Sequence, residues 1–89
     1  MTTPAHELAT AAQTLRTARF AGAMTATPAV AALLRAREPI ADLLSEHAAF
    51  ASLFDQLWRA RCGTAPAEAE YAAETRKALA VARQINACP

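Results

Sequence analysis

A run of apolar residues from Ile40 to Trp58 constrains the fold of this chain more than any other feature. At 100° per residue, one broad helical face collects Ile40, Leu43, Leu44, His47, Phe50, Ala51, Phe54, Leu57 and Trp58, and Leu53 widens it. A face approaching half the circumference is too wide for one neighbouring helix to cover. We therefore predict a helix packed against more than one partner helix, from this chain or a second one, with the whole face hidden from water.

Proline and glycine mark where the helices are expected to begin and end. Thr3-Pro4 and Thr27-Pro28 each combine a capping residue with proline at the first helical position, which is a start signal. Gly22 and Gly63 are typical helix stops. Pro39 is expected to end the second segment, because the residue before proline avoids the helical region, and to begin the third. No window alternates with period two among β-branched residues, so no strand is predicted.

A fourth helix is expected after Pro66. It should carry Glu68, Glu70 and Glu74 near its positive end and finish near Asn86. The connections should be short, at about 3–6 residues, and short connections make sequential helices antiparallel neighbours. The predicted fold class is all-α: one domain over residues 1–89, forming a small antiparallel helical bundle of three long helices and one short helix.

Alanine limits the core that this bundle can form. It accounts for 26 of the 89 residues, so the hydrophobic fraction of 54% overstates the large apolar side chains available. Alanine favours helices and lets them approach closely, but each alanine buries little surface. Because self-association is a common remedy for a thin core, we expect a homo-oligomer, most simply a dimer formed through the Ile40–Trp58 face or the alanine-rich faces.

Charge and targeting signals narrow the range of partners. A formal net charge of +1 argues against a general nucleic-acid coat protein. No stretch reaches the roughly 18 uncharged apolar residues of a membrane span, and the N-terminus lacks the pattern of a secretory signal. We therefore expect no membrane association and a cytoplasmic location. Cys62 and Cys88 are too few for a disulfide scaffold, and we place them at opposite ends of one helix, beyond disulfide reach.

Two short patches carry a resemblance to a known group of proteins. The first patch reads Glu38-Pro39-Ile40-Ala41-Asp42-Leu43-Leu44, and the second reads Ala78-Leu79-Ala80-Val81-Ala82-Arg83-Gln84-Ile85. They resemble an "EP-hydrophobic-AD-W/L-L" run and an "ALAVARAI" C-terminal helix in small uncharacterised helical proteins of actinobacteria and their phages. Where that group often has Gly-Pro-Trp, this chain reads Gly22-Ala23-Met24-Thr25. The resemblance implies an actinobacterial or phage source, but no activity and no functional residues.

The broad face also carries candidate contacts for a partner. Phe50, Phe54 and Trp58 form a diagonal aromatic strip that Arg61 could flank, and Trp and Arg are favoured at binding hot spots. The alternative is that these rings are simply part of the core.

His47 lies near the middle of the same face. One interpretation makes it a ligand contact or a pH-sensitive interface residue; the other makes it a packed side chain that hydrogen-bonds a neighbouring helix. A helical zinc pair would need a second ligand four residues away, where the chain has Leu43 and Ala51, so no metal site is expected.

The arginines support an alternative, nucleic-acid interpretation. Arg35, Arg37 and Arg59 belong to closely spaced pairs that could grip phosphates if the fold brought them together. The second and third segments loosely resemble a helix-turn-helix, but their turn lacks the usual glycine. The third helix also begins with Pro39–Asp42, which offers few groups to read base edges. DNA binding is therefore an alternative that we do not favour.

No motif points to catalysis or to a cofactor. The chain contains no Gly-rich loop, no Gly-x-Ser-x-Gly and no Cys-x-x-Cys. The sequence therefore predicts a protein–protein interaction or scaffold module without catalytic activity, such as an accessory or regulatory protein of an actinobacterium or phage, whose protein partner it does not identify. The alternatives are a small DNA-binding regulator and a bundle that holds a small ligand near His47.

Overall fold

The computed structural model describes residues 2–18 and 28–87, and most of them are helical. A short 3₁₀ turn at Glu68–Glu70 accompanies four α-helices, which are α1 (Pro4–Thr17), α2 (Pro28–Arg35), α3 (Arg37–Cys62) and α4 (Ala73–Ala87). Within these two described ranges the chain has no strand. The predicted all-α class and small helical bundle are confirmed.

Local signals in the sequence place several of the helix ends correctly. Thr3 precedes α1, and its Oγ1 accepts a hydrogen bond of 3.1 Å from the backbone N–H of His6. Pro28 begins α2. Gly63 follows α3 with φ of 80°, a left-handed conformation that glycine adopts without strain, and its N–H donates to the Arg59 carbonyl at 2.8 Å. These starts and this stop are as the sequence predicts.

The end of α1 differs from the prediction because a tertiary contact fixes it. The helix ends at Thr17, and Ala18 is already extended, with ψ of 143°. The guanidinium of Arg37, at the start of α3, donates to the Ala18 carbonyl at 3.1 Å. The stop expected at Gly22 is therefore wrong; Gly22 itself lies outside the described residues, as does Thr27.

The junction between α2 and α3 is more continuous than proline suggests. A single residue, Ala36, separates the two helices, and its φ of −81° and ψ of −7° remain in the right-handed helical region. The Ala36 N–H donates to the Ala32 carbonyl, and the Ile40 N–H donates to the Ala36 carbonyl, each at 3.0 Å. Pro39 lies in the first turn of α3, where its missing N–H interrupts no helical hydrogen bond. The chain therefore passes from α2 into α3 without folding back.

The connection before α4 is longer than expected. Residues 63–72 separate α3 from α4, and Glu68 and Glu70 belong to the 3₁₀ turn, which leaves only Glu74 in the first turn of α4. Tyr71 is extended, with φ of −71° and ψ of 153°. Cys62 ends α3, so the placement of Cys62 and Cys88 on one helix is wrong; Cys88 lies outside the described residues.

Side-chain contacts define how the helices are arranged. Near the end of α1, Arg16 contacts Asp42, close to the start of α3, and the buried residues of α1 pack on α3, so these helices are antiparallel. Near the beginning of α1, Glu7 contacts Arg83, late in α4. The start of α4 reaches the first half of α3, where Thr75 meets His47. Residues 63–72 therefore run back along the bundle, and α4 points in the same direction as α3.

The core is small and built largely of alanine. Its largest fully buried side chains are Leu8, Leu44 and Leu79, one from each of α1, α3 and α4. Around them lie buried alanines of the same helices, which are Ala11, Ala12, Ala41, Ala51, Ala78 and Ala82. Among the side chains that the structure describes, those of α1, α3 and α4 form this core, and α2 contacts α3 only slightly.

Candidate interaction surface

The broad apolar face of α3 is divided between core and solvent. Leu44 and Ala51 are buried against the other helices. Leu43, Phe50, Leu53 and Leu57 instead keep between 52% and 62% of their surface exposed. The expectation that the whole face is hidden is therefore wrong. The reason is that α1 and α4 both pack along one side of α3 and leave the adjacent arc without a neighbour among the described residues.

The exposed side chains lie along one row on α3, which we call the α3 stripe: Leu43, Phe50, Leu53 and Leu57. Their successive spacings of seven, three and four residues match the a and d positions of a coiled-coil heptad. At 1.5 Å per residue the row extends for about 21 Å. Large apolar side chains exposed together, rather than singly, are characteristic of surfaces that bind another molecule.

Two charged residues lie in line with the stripe. Glu46 projects between Leu43 and Phe50, and Arg61 extends the row one turn beyond Leu57. Both side chains are exposed, and neither makes an ion pair with any residue that the structure describes. The stripe is therefore acidic toward the start of α3 and basic at its end.

His47 borders the stripe and connects α3 to α4. Its Nδ1 lies 3.2 Å from Oγ1 of the buried Thr75, and its ring meets Phe50 edge-on, with centroids 6.1 Å apart. The side chain is half-buried. This geometry corresponds to the packed interpretation of His47, in which the imidazole hydrogen-bonds a side chain of a neighbouring helix.

The aromatic strip predicted from the sequence divides in the same way as the face. Phe54 packs against the core, with its ring centroid 4.9 Å from that of Tyr71 and 5.7 Å from that of Trp58. Trp58 is half-buried, whereas Phe50 faces solvent as part of the stripe. The sequence pattern did not predict the contact between Phe54 and Tyr71, because it placed Tyr71 inside a helix.

The environment of Tyr71 changes its acidity. Burial raises the pKa of its phenol, and the nearby Asp55 carboxylate raises the pKa further. Asp55 also forms an ion pair with Arg59, one turn along α3. Arg59, a candidate nucleic-acid contact, is therefore engaged within its own helix.

The other candidate nucleic-acid contacts do not converge with Arg59. Arg37 binds the end of α1, and Arg35 is exposed at the end of α2. Arg37 and Arg59 lie near opposite ends of the 26-residue helix α3. At 1.5 Å per residue they are separated by about 33 Å. The fold therefore does not gather Arg35, Arg37 and Arg59 into one cationic patch.

Polar contacts between distant segments were not predicted from the sequence. Arg83 of α4 contacts Glu7 of α1 at 3.1 Å and Glu68 at 2.6 Å, and its hydrogen bond lowers the pKa of Glu68. Arg16 contacts Asp42 at 2.9 Å and Ser45 at 3.0 Å. Helical periodicity shows only that these residues lie on polar faces, and the choice of partners depends on the packing of the helices.

A metal site and a membrane span each place requirements on the described residues. Across the two described ranges, no three His, Cys, Asp or Glu side chains are grouped so that they could hold a metal ion. No helix in the described part of the chain has the length and apolar character needed to cross a bilayer. No family model, curated protein or solved structure matches this chain. Its resemblance to actinobacterial and phage proteins stays a prediction.

Proposed function

We propose that this protein is a non-catalytic helical interaction module whose α3 stripe packs against an apolar helix of another protein chain. The observation that carries the proposal is the row of four large apolar side chains, each more than half exposed, on the longest helix. The bundle core is formed by other residues, chiefly Leu8, Leu44 and Leu79. The exposed row therefore does little for the packing of the bundle itself.

Burial energetics support this role. Fully burying a leucine or phenylalanine side chain stabilises a complex or a fold by about 1.5–3 kcal/mol. The four stripe residues are each still about half exposed, so burying the rest of their surface would recover roughly half of that free energy for each. Covering all four would therefore contribute on the order of several kcal/mol before the cost of association. A partner helix that presents apolar residues at the same heptad spacing would fit the row.

The biological setting that we propose follows from the sequence patches. A cytoplasmic accessory or regulatory role in an actinobacterium or its phage fits the resemblance at Glu38–Leu44 and Ala78–Ile85. DNA binding receives less support, because Arg37 and Arg59 make contacts within the protein and lie far apart. A small-ligand site at His47 receives less support because its Nδ1 already lies beside Thr75.

Site-specific photo-crosslinking in cells of the source organism tests the proposal. Benzoylphenylalanine would replace Phe50 in one variant, and Thr10, exposed on α1 away from the stripe, in a control variant. We expect irradiation to give a discrete protein adduct from position 50 and none from position 10. Adding Leu53→Lys to the position-50 variant should suppress the adduct, because a charge in the row opposes burial.

Equal adducts from positions 50 and 10, or no protein adduct from position 50 in a folded and expressed variant, would contradict the proposed function. Circular dichroism of the purified variants verifies that each is folded.

A further inference from the structure

We infer that the occupant of the α3 stripe is a second copy of this chain, paired so that the two α3 helices run antiparallel. This inference rests on the proposed function and adds the identity and orientation of the partner. It is carried by the two charged residues in line with the stripe, Glu46 and Arg61, together with the heptad spacing of the row.

Antiparallel pairing makes the stripe complementary to itself. In an antiparallel pair, residues at heptad position a of one helix meet residues at heptad position d of the other. Phe50 then lies opposite Leu53 of the second copy, and Glu46 lies opposite its Leu57. Arg61 of the second copy is then one helical turn from Glu46. Because side chains lean toward the N-terminus of their own helix, these two groups lean toward each other when the helices are antiparallel. The two-fold axis produces this contact twice.

Parallel pairing would place like charges together. The same apolar residues would meet their own copies, but Glu46 would face Glu46 within the seam, and the two Arg61 side chains would also be adjacent. Like charges at such positions are destabilising, and the cost increases as the seam excludes water. The charge pattern along the stripe therefore favours the antiparallel arrangement.

The symmetry of dimers, the accessibility of the stripe and the small core also favour a second copy as the partner. Closed two-fold dimers are the commonest soluble oligomers, and they require a surface that complements itself, as this one does. Each of the four stripe residues is more than half exposed in one chain, so an approaching helix can reach the whole row. A dimer would supply the burial that the alanine-rich core of one chain lacks.

A charge-swap experiment on the purified protein tests the inference. Sedimentation equilibrium should show a dimer at tens of micromolar, and Glu46→Arg or Arg61→Glu alone should raise the dimer dissociation constant about tenfold or more at low salt. The double variant Glu46→Arg with Arg61→Glu should restore the constant to within about threefold, because the pair is re-formed with reversed signs. Lys77→Glu is exposed on α4 and changes the net charge as Arg61→Glu does, so it should leave dimerisation unchanged.

The orientation is measured with spin labels. Cys62 is free and exposed at the end of α3, and Cys88→Ser leaves it as the single labelling site. Antiparallel helices in the register described above place the two labelled backbones about 30 Å apart along the axes, whereas parallel helices place them within about 10 Å.

The outcomes separate this inference from the proposed function. A monomer at these concentrations, a short label distance, or a double variant no better than the single ones would overturn antiparallel self-pairing. If the protein is monomeric and position 50 still gives an adduct with a different protein, the interaction module stands and the second copy does not. A long label distance together with charge-swap rescue supports both.

Discussion

Leu43 and Leu44 are adjacent in the sequence, and both belong to the broad apolar face of α3, but their environments differ sharply. Leu44 retains 1% of its surface exposure, whereas Leu43 retains 52%. A rotation of 100° about the helix axis separates them, which is enough to turn one side chain toward α1 and α4 and the other away from both. At the scale of single residues, hydrophobicity therefore identifies candidates for burial, and the position of the neighbouring helices selects among them.

The pair provides a matched test of the fold. Leu44→Ala should lower the free energy of unfolding by about 2–5 kcal/mol, because it leaves a cavity in the core, or abolish the folded baseline altogether. Leu43→Ala should change it by less than about 0.5 kcal/mol, since alanine is at least as good a helix former and the site is solvated. Urea denaturation followed by circular dichroism, at a dilution that keeps the chain monomeric, measures both. Equal losses from the two variants would show that the face is not divided as described.

Tyr71 provides a second residue-scale prediction, on pH dependence. Its phenol pKa is raised above the ordinary value of about 10, so the folded state favours the neutral form. The corresponding stability is present below pH 10 and is lost as the pH rises through the raised folded pKa. Ultraviolet absorbance of tyrosinate should therefore appear at higher pH in the folded protein than in urea. Tyr71 is the only tyrosine, so the signal is unambiguous.

Asp55→Asn supplies the control for this titration. It removes the second cause of the shift but leaves the burial of Tyr71, so the titration should move part of the way back toward the ordinary value. Coincident titrations of the folded and unfolded wild-type protein would contradict the buried position of Tyr71.

At the scale of elements, α2 and α3 show that the position of a helix in the sequence does not indicate how strongly tertiary packing stabilises it. The two helices are joined through Ala36, which hydrogen-bonds to both, yet the buried residues of this pair whose side chains the structure describes all belong to α3. A helix as short as α2 is marginal in water unless tertiary packing supports it. Proline at position 39 correctly indicated a boundary region, but it could not show that the chain continues without turning back.

Hydrogen exchange should reveal this difference in support. Amides of residues 32–35, which α2 could protect, should exchange at least about 100-fold faster than those of residues 44–51 in α3, because opening α2 exposes little buried surface. Exchange measured by NMR on the native protein resolves the two groups, and residues 8–12 of α1, which include its buried core residues, serve as a protected reference. Protection of α2 equal to that of the α3 core would contradict the weak packing of α2.

At the scale of the whole molecule, α1 is the helix that organises the bundle. It packs extensively on α3 and also on α4, whereas α3 and α4 contact each other less. Arg83 joins both Glu7 of α1 and Glu68 of the connection before α4, and Asn86 donates to the Glu7 carbonyl at 3.0 Å. These contacts fix the returning connection 63–72, which makes α4 run in the same direction as α3 and leaves the stripe without a neighbour among the residues that the structure describes.

Local backbone preferences and composition are enough to predict the helical class, the capped start at Thr3, the stop at Gly63 and the alanine-rich core. The end of α1, the partner of each arginine and the buried half of the α3 face depend instead on contacts between distant segments. Periodicity places side chains around one helix axis, but burial depends on where the other helices lie, and that depends on long-range packing. The α3 stripe, on which the proposed function depends, is therefore a property of the fold that the sequence pattern could only outline.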